Sequence, residues 1–123
     1  VTRELTSHKV NGLNEALTIQ VLDEPGQGNA CHDYVIDAII NDEPVELTQI
    51  KFQNGPIQEA GVNGISNETL LAIVEDRLVG FQSGQYACRE NAVALTKVQE
   101  AMMWLQKRTR DRVARGVEGT NQK

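Results

Sequence analysis

The chain has 123 residues, 40% hydrophobic and 24% charged, with 17 acidic against 12 basic side chains for a net charge of −5. That is one globular domain's worth of chain, and the acidic balance argues against a broadly basic surface of the kind that displaces phosphate counterions from DNA or RNA. No apolar run approaches the roughly 20 residues needed to span a bilayer, and Cys31 and Cys88 lie far apart without metal or redox spacing, so a reduced cytosolic setting is the default.

Residues 1–53 predict a small antiparallel sheet. Leu17, Ile19 and Val21 alternate with Thr18 and Gln20, and Tyr34, Ile36, Ala38 and Ile40 alternate around Asp37. Val45 to Phe52 is a third such run whose parity shifts near Gln49, which predicts a bulge or a strand buried in part on both faces. Asn41-Asp42-Glu43-Pro44 suits a tight turn, whereas residues 23–30 make a loop longer than a hairpin needs.

Residues 54–64 are glycine-rich and read as a connecting loop. A helix then starts at Ser66 as N-cap, with Glu68 in its first turn, Ile65 placed to staple onto Leu70, and Leu70, Val74, Leu78 and Phe81 as its apolar stripe. Ser83-Gly84-Gln85 ends it. From Ala87 to Gly116 the chain has no proline and no internal glycine, and Ala92, Leu95, Val98, Met102 and Leu105 recur at helical spacing. Such a helix runs roughly 42 Å, long for this size of domain, so part of it is expected to pack on another chain. The expected architecture is a single α+β domain: an antiparallel sheet over 1–53, a loop over 54–64, an antiparallel two-helix hairpin over 65–116 with a long second helix, and a tail over 117–123.

The chemistry-bearing residues are few. His32, between Cys31 and Asp33, matches no zinc spacing and has no second convergent His; it reads as a loop or strand residue with a local hydrogen bond. Asp23 and Glu24 read as a solvated turn before Pro25, and the glycines at 26 and 28 lack the helix and Lys-Ser/Thr ending of a phosphate loop. No catalytic or metal-ligating residue is assigned. The stronger signal is the end of the long helix: Lys107, Arg108, Arg110, Arg112 and Arg115 oppose one Asp111, a local charge of +4 that leaves −9 for the rest. Arg108, Arg112 and Arg115 share one helical face, where their planar forks suit a phosphate, although basic residues at a helix C-terminus are also expected from its dipole. Phe81 suits either packing or base stacking, and Asn91 either capping or ligand reading.

The strings FQNGPIQEAGVNG, NETLLAIVEDRLVGFQ, YACRENAVALTKVQEAMMWLQKRTRDR and ARGVEGT, in this order from Phe52 to Thr120, resemble the phage Thoeris anti-defence sponges of the first described type. The hairpin pieces ENA, WLQKRT and RGVEGT are also similar to smaller phage sponges that oppose CBASS immunity. The resemblance implies a non-enzymatic protein without cofactor, acting in the cytoplasm of the infected host. Its implied ligand is a cyclic ADP-ribose isomer, a messenger made by TIR-domain enzymes, with CBASS cyclic di- or trinucleotides taken by some relatives at separate sites. It further implies a homodimer or a hexamer of dimers, no membrane, DNA or RNA partner, and a pocket in which Phe81 stacks, Asn91 contacts the ligand and Arg108 and Arg112 hold phosphates.

Helix geometry bears on that pocket. Asn91 and Arg108 stand 17 residues apart, about 26 Å along one helix, too far for one small dinucleotide. Two long helices crossing antiparallel near Val98 to Ala101 would bring Asn91 and Phe81 of one chain to Arg108 and Arg112 of its twin. The alternatives are an enzyme that degrades a cyclic nucleotide with His32 as acid or base, and an oligomeric adaptor or nucleic-acid binder using the basic helix end.

Overall fold

The computed structural model describes residues 2–123. They form two compact units, one made of the chain up to Gly55 with Ala60–Ile65, the other of Pro56–Glu59 with Ser66–Lys123. The elements follow as β1 (Arg3–Leu5), α1 (Gly12–Ala16), β2 (Leu17–Val21), β3 (Asp33–Ile40), β4 (Glu43–Lys51), α2 (Ile57–Ala60), α3 (Asn67–Gln82) and α4 (Arg89–Arg115). The class is α+β, as expected: a sheet followed by a helical hairpin.

The first unit is a four-stranded antiparallel meander in the order β1-β2-β3-β4. Its register places Leu17 opposite Ala38, Ile19 opposite Ile36 and Val21 opposite Tyr34, so the two alternating sets read from the sequence share one face. β4 continues that face with Ile50 opposite Tyr34 and Thr48 opposite Ile36, but then pairs Val45 with Ala38. Ile50 and Val45 are an odd number of residues apart and would point to opposite faces of a regular strand. A bulge at Leu47 absorbs the difference, two residues before the predicted shift at Gln49. Val21 is fully buried at the centre, with Cys31 and Ala38 nearly so.

Asn41 and Asp42 link β3 to β4 with φ of 52° and 64°, the double left-handed conformation of a two-residue hairpin turn whose twist matches its strands. β1 and α1 form from sequence too short to signal them. α1 is held by Asn11, whose side chain accepts the Asn14 N–H at 3.0 Å. After β4, Phe52 and Ile65 form a parallel bridge. Gly64 makes this approach possible, since a Cβ there would lie 2.3 Å from the Phe52 carbonyl carbon.

In the second unit Ser66 caps α3 reciprocally: its hydroxyl accepts the Thr69 N–H at 3.2 Å and the Thr69 hydroxyl accepts the Ser66 N–H at 3.4 Å. Cys88 caps α4, its sulfur accepting the Asn91 N–H at 3.4 Å. Gly116 ends α4 in the left-handed conformation at φ 75°, with Val117 N–H returning to the Arg112 carbonyl and Gly116 N–H to that of Val113, both at 3.0 Å.

Along α4 the residues withdrawn from solvent are Asn91, Leu95, Val98, Met102, Leu105, Thr109 and Arg112, which alternate four- and three-residue steps. On α3 they are Glu68, Leu70, Leu71, Glu75, Leu78 and Gln82. The 3.5-residue seam is the period at which two helices pack side by side. It corrects the predicted stripe of α3: Val74 and Phe81 stay 43% and 38% exposed, and Leu71, Glu75 and Gln82 face inward instead. Val98 and Met102 belong to this internal seam, while Trp104 remains 69% exposed.

Gly64→Ala is expected to cost on the order of 2 kcal/mol or more through this backbone overlap. Thermal unfolding followed by circular dichroism reads it, against Gly84→Ala, where a Cβ meets nothing within 4 Å and stability should stay near the parent's.

Candidate functional site

The last turns of α4 carry an open cleft of ≈ 300 Å³, walled by Trp104, Arg108, Arg112 and Arg115 with Lys107, Asp111 and Lys123. The three arginines that the spacing placed on one face therefore meet in one cleft. Their states differ. Lys107 is paired to Asp111 at 2.6 Å, an exposed i,i+4 contact that quenches both charges and adds only about 0.5 kcal/mol. Arg108 and Arg115 make no ion pair or side-chain hydrogen bond among the described residues, so their guanidinium groups are available to an anion.

Arg112 is different in kind. It is 5% exposed, and its guanidinium is enclosed by the tail: Nε donates to Glu118 Oε1 at 3.1 Å, Nη2 to the carbonyls of Val117 and Thr120 at 2.9 and 3.0 Å, and Nη1 to that of Gln122. These bonds leave one of an arginine's five N–H groups over.

The other predicted site residues lie where α3 meets α4. Phe81 is near the C-terminus of α3, with the Arg77 guanidinium 5.5 Å from its ring centroid and Tyr86 edge-on at 6.4 Å. The sequence reading missed Arg77 and Tyr86, although Arg77 sits one turn before Phe81. Asn91 opens α4 on the seam, half-buried, and its side-chain amide makes no hydrogen bond among the described residues. Phe81 and Asn91 thus share one end of the hairpin and Arg108 and Arg112 the other, about 26 Å away along α4.

The sheet unit holds a second cleft of ≈ 280 Å³, lined by Asp23, His32, Asp33, Lys51, Phe52, Asn54 and Asn63. Its polar groups mostly engage one another. Asp23 accepts the backbone N–H groups of His32 at 2.8 Å and Asp33 at 3.1 Å; Asp33 accepts from Gln49 at 2.8 Å and pairs with Lys51 at 3.4 Å; Asn63 binds the Asn54 backbone through both ends of its amide. Desolvation opposes ionisation of Asp23, yet the backbone N–H groups of His32, Asp33 and Asp23 itself, helped by the His32 charge, outweigh it and hold the carboxyl below its usual range. His32 Nδ1 lies 3.8 Å from Asp23 Oδ2, buried and without a hydrogen bond. The cleft is therefore built as a clamp on two loops. Among the described residues no three His, Cys, Asp or Glu side chains converge on a metal position, and no helix is long and apolar enough to cross a membrane.

A small antiparallel sheet followed by a capped helical hairpin, with a guanidinium-lined cleft near the end of the longer helix, defines an α+β protein equipped to bind an anion. Residues 45–110, from β4 through most of α4, match the family described as the Acb2/Tad1 hairpin domain, and the chain belongs to that family. It is similar to the protein named Thoeris anti-defense 1 of Bacillus phage SBSphiJ7, at 51% identity over 84 residues that cover 68% of this chain and 59% of that protein. The chain thus spans less than two thirds of this relative's length.

Because the folded-state pKa of Asp23 lies below its ordinary value, its clamp contributes fully above about pH 4. It is lost as pH falls through the depressed value. Hydrogen exchange at the His32 and Asp33 amides should be constant from pH 5 to 7 after correction for intrinsic rates and should lose protection below about pH 4. Asp23→Asn should remove that pH dependence.

Proposed function

We propose that this protein is a phage anti-defence sponge that captures a phosphate-bearing nucleotide messenger and releases it unchanged. The messenger is a cyclic ADP-ribose isomer with a glycosidic link between its riboses, made by host TIR-domain enzymes in Thoeris defence. The site of action is the cytoplasm of the infected cell. Family membership and the name of the Bacillus phage relative support the anti-defence role. The carrying observation is the division of ligand-facing groups: an exposed aromatic and an unbonded amide near one end of the hairpin, available guanidinium groups near the other.

A homodimer resolves that division. Two hairpins related by a two-fold bring Phe81 and Asn91 of one protomer to Arg108 and Arg112 of its partner, giving two equivalent pockets. Phe81 stacks on a base, Asn91 reads an edge, Arg108 grips phosphate, and Arg112 adds the N–H its tail contacts leave over. Assembly of such dimers into a hexamer, and capture of CBASS cyclic di- or trinucleotides at a separate site, extend the same reading. Outcompeting a host sensor calls for nanomolar affinity, about −12 kcal/mol, whereas a dinucleotide of a few dozen heavy atoms at roughly 0.3 kcal/mol each reaches about −10. Most of the ligand surface must therefore be enclosed.

Native mass spectrometry with a panel of cyclic ADP-ribose isomers and cyclic di- and trinucleotides tests the reading. Two messengers per dimer are expected, recovered intact after heat denaturation; a cleaved product accumulating beyond one equivalent per site would establish an enzyme instead. Arg108→Ala and Phe81→Ala should each weaken capture by about 100-fold or more, close to 2.7 kcal/mol, while the dimer persists.

A further inference from the structure

We infer that the Asn54–Gly55 bond is a self-modifying site, at which the side-chain amide of Asn54 is lost as ammonia with the Asn63 amide assisting the step. The chain holds three Asn-Gly pairs, at 11–12, 54–55 and 63–64. Such a pair is open to this chemistry because glycine has no Cβ to shield its backbone nitrogen from the preceding side chain. The function proposed above uses none of the three.

The structure separates them. Asn11 caps α1, its Oδ1 accepting the Asn14 N–H at 3.0 Å. Asn63 is held at both ends of its amide, Oδ1 accepting the Asn54 N–H at 2.8 Å and Nδ2 donating to the Asn54 carbonyl at 2.7 Å, while Gly64 lies against the Phe52 backbone. At the remaining pair the Asn54 side chain is exposed, and neither its amide nor the Gly55 N–H makes a hydrogen bond among the described residues. Gly55 stands at φ 92°, a conformation that favours glycine, with its carbonyl accepting from Gln53 Nε2 at 3.1 Å.

The step begins when solvent base removes the Gly55 amide proton, leaving an anion whose charge is shared with the Asn54 carbonyl oxygen. That oxygen is the one to which Asn63 Nδ2 donates, and a hydrogen bond to a charged acceptor is stronger than one to a neutral acceptor. The Gly55 nitrogen then attacks Asn54 Cγ, the Cγ–Nδ2 bond breaks, and the departing nitrogen takes a proton from water and leaves as ammonia. Water opens the resulting imide ring: attack at Cγ gives aspartate, and attack at the former backbone carbonyl gives an isoaspartyl link with one more methylene in the chain. No electron is gained or lost. Either product adds a carboxylate to a chain of net charge −5, in the cleft that Asn54 lines with Asp23, Asp33 and Lys51.

On incubation of the full-length chain at mildly alkaline pH, anion-exchange chromatography with peptide mass mapping should find the Asn54 amide lost about fivefold faster, or more, than that of Asn11 or Asn63, since those must first release their partners. Asn54→Asp supplies the chromatographic reference for one product. In denaturant the three rates should converge. Asn63→Asp keeps an acceptor for the Asn54 N–H but removes the donor, so it should slow the reaction at Asn54 by about tenfold, and Asn63→Ala should slow it too. A loop that merely restrains Asn54 would instead react faster once either change loosened it. The inference is overturned if Asn11 or Asn63 reacts first, if the ordering survives denaturation, or if either Asn63 variant leaves the Asn54 rate unchanged or raises it.

Discussion

The packed seam between α3 and α4 is the constraint on which the rest depends. A helix in a protein draws most of its stability from packing one face; laid along a second helix through Leu95, Val98, Met102 and Leu105, the 27 residues of α4 become a strut of about 40 Å. Because the strut cannot fold back, the groups it carries keep their separation. Asn91 and Arg108 stay about 26 Å apart whatever their side chains do. The stoichiometry of the proposed trap follows from that stiffness, since under that proposal one hairpin supplies two half-sites and a second copy completes them.

Electrostatics then sorts cations that look equivalent in the sequence. An acidic chain concentrates positive charge near the end of α4, where the helix dipole favours it. Asp111 neutralises Lys107, and Glu118 with the tail carbonyls engages Arg112. Arg108 and Arg115 are left facing the cleft without a partner among the described residues. The distinction matters for any anion reading: a guanidinium already hydrogen-bonded gains little from a new oxygen, whereas an unmatched one replaces water by phosphate and gains a two-point grip.

The sheet unit shows the same economy in a different form. The Asp23 carboxylate holds the start of β3 through backbone N–H groups, and Gln53 and Asn63 tie the chain after β4 to itself through side-chain amides, with the Asn63 N–H bonded to Gln53 Oε1 at 2.9 Å. Loops of this length keep one conformation because side chains replace the ladder bonds that their backbones lack. His32 sits inside that clamp beside Asp23, whose carboxylate engages backbone N–H groups, while Asp33 and Lys51 in the same cleft pair with each other.

Much of this was legible in the residues alone. Period two announced β2 and β3, the parity break in β4 announced its bulge to within two residues, and Ser66 and Gly116 marked helix ends, because backbone sterics and local hydrogen bonds act over a few residues. The spacing of Arg108, Arg112 and Arg115 likewise foretold that they share a face. What the residues did not reveal depends on partners distant in sequence. The face of α3 turned inward was set by the heptad match to α4, which exchanged Val74 and Phe81 for Leu71 and Glu75. Burial of Arg112 depended on a tail held in turn by Gln58, 60 residues before Glu118. Such choices belong to the tertiary structure, because whether a charged group meets water, an anion or a ring of carbonyls is decided by what the rest of the chain brings against it.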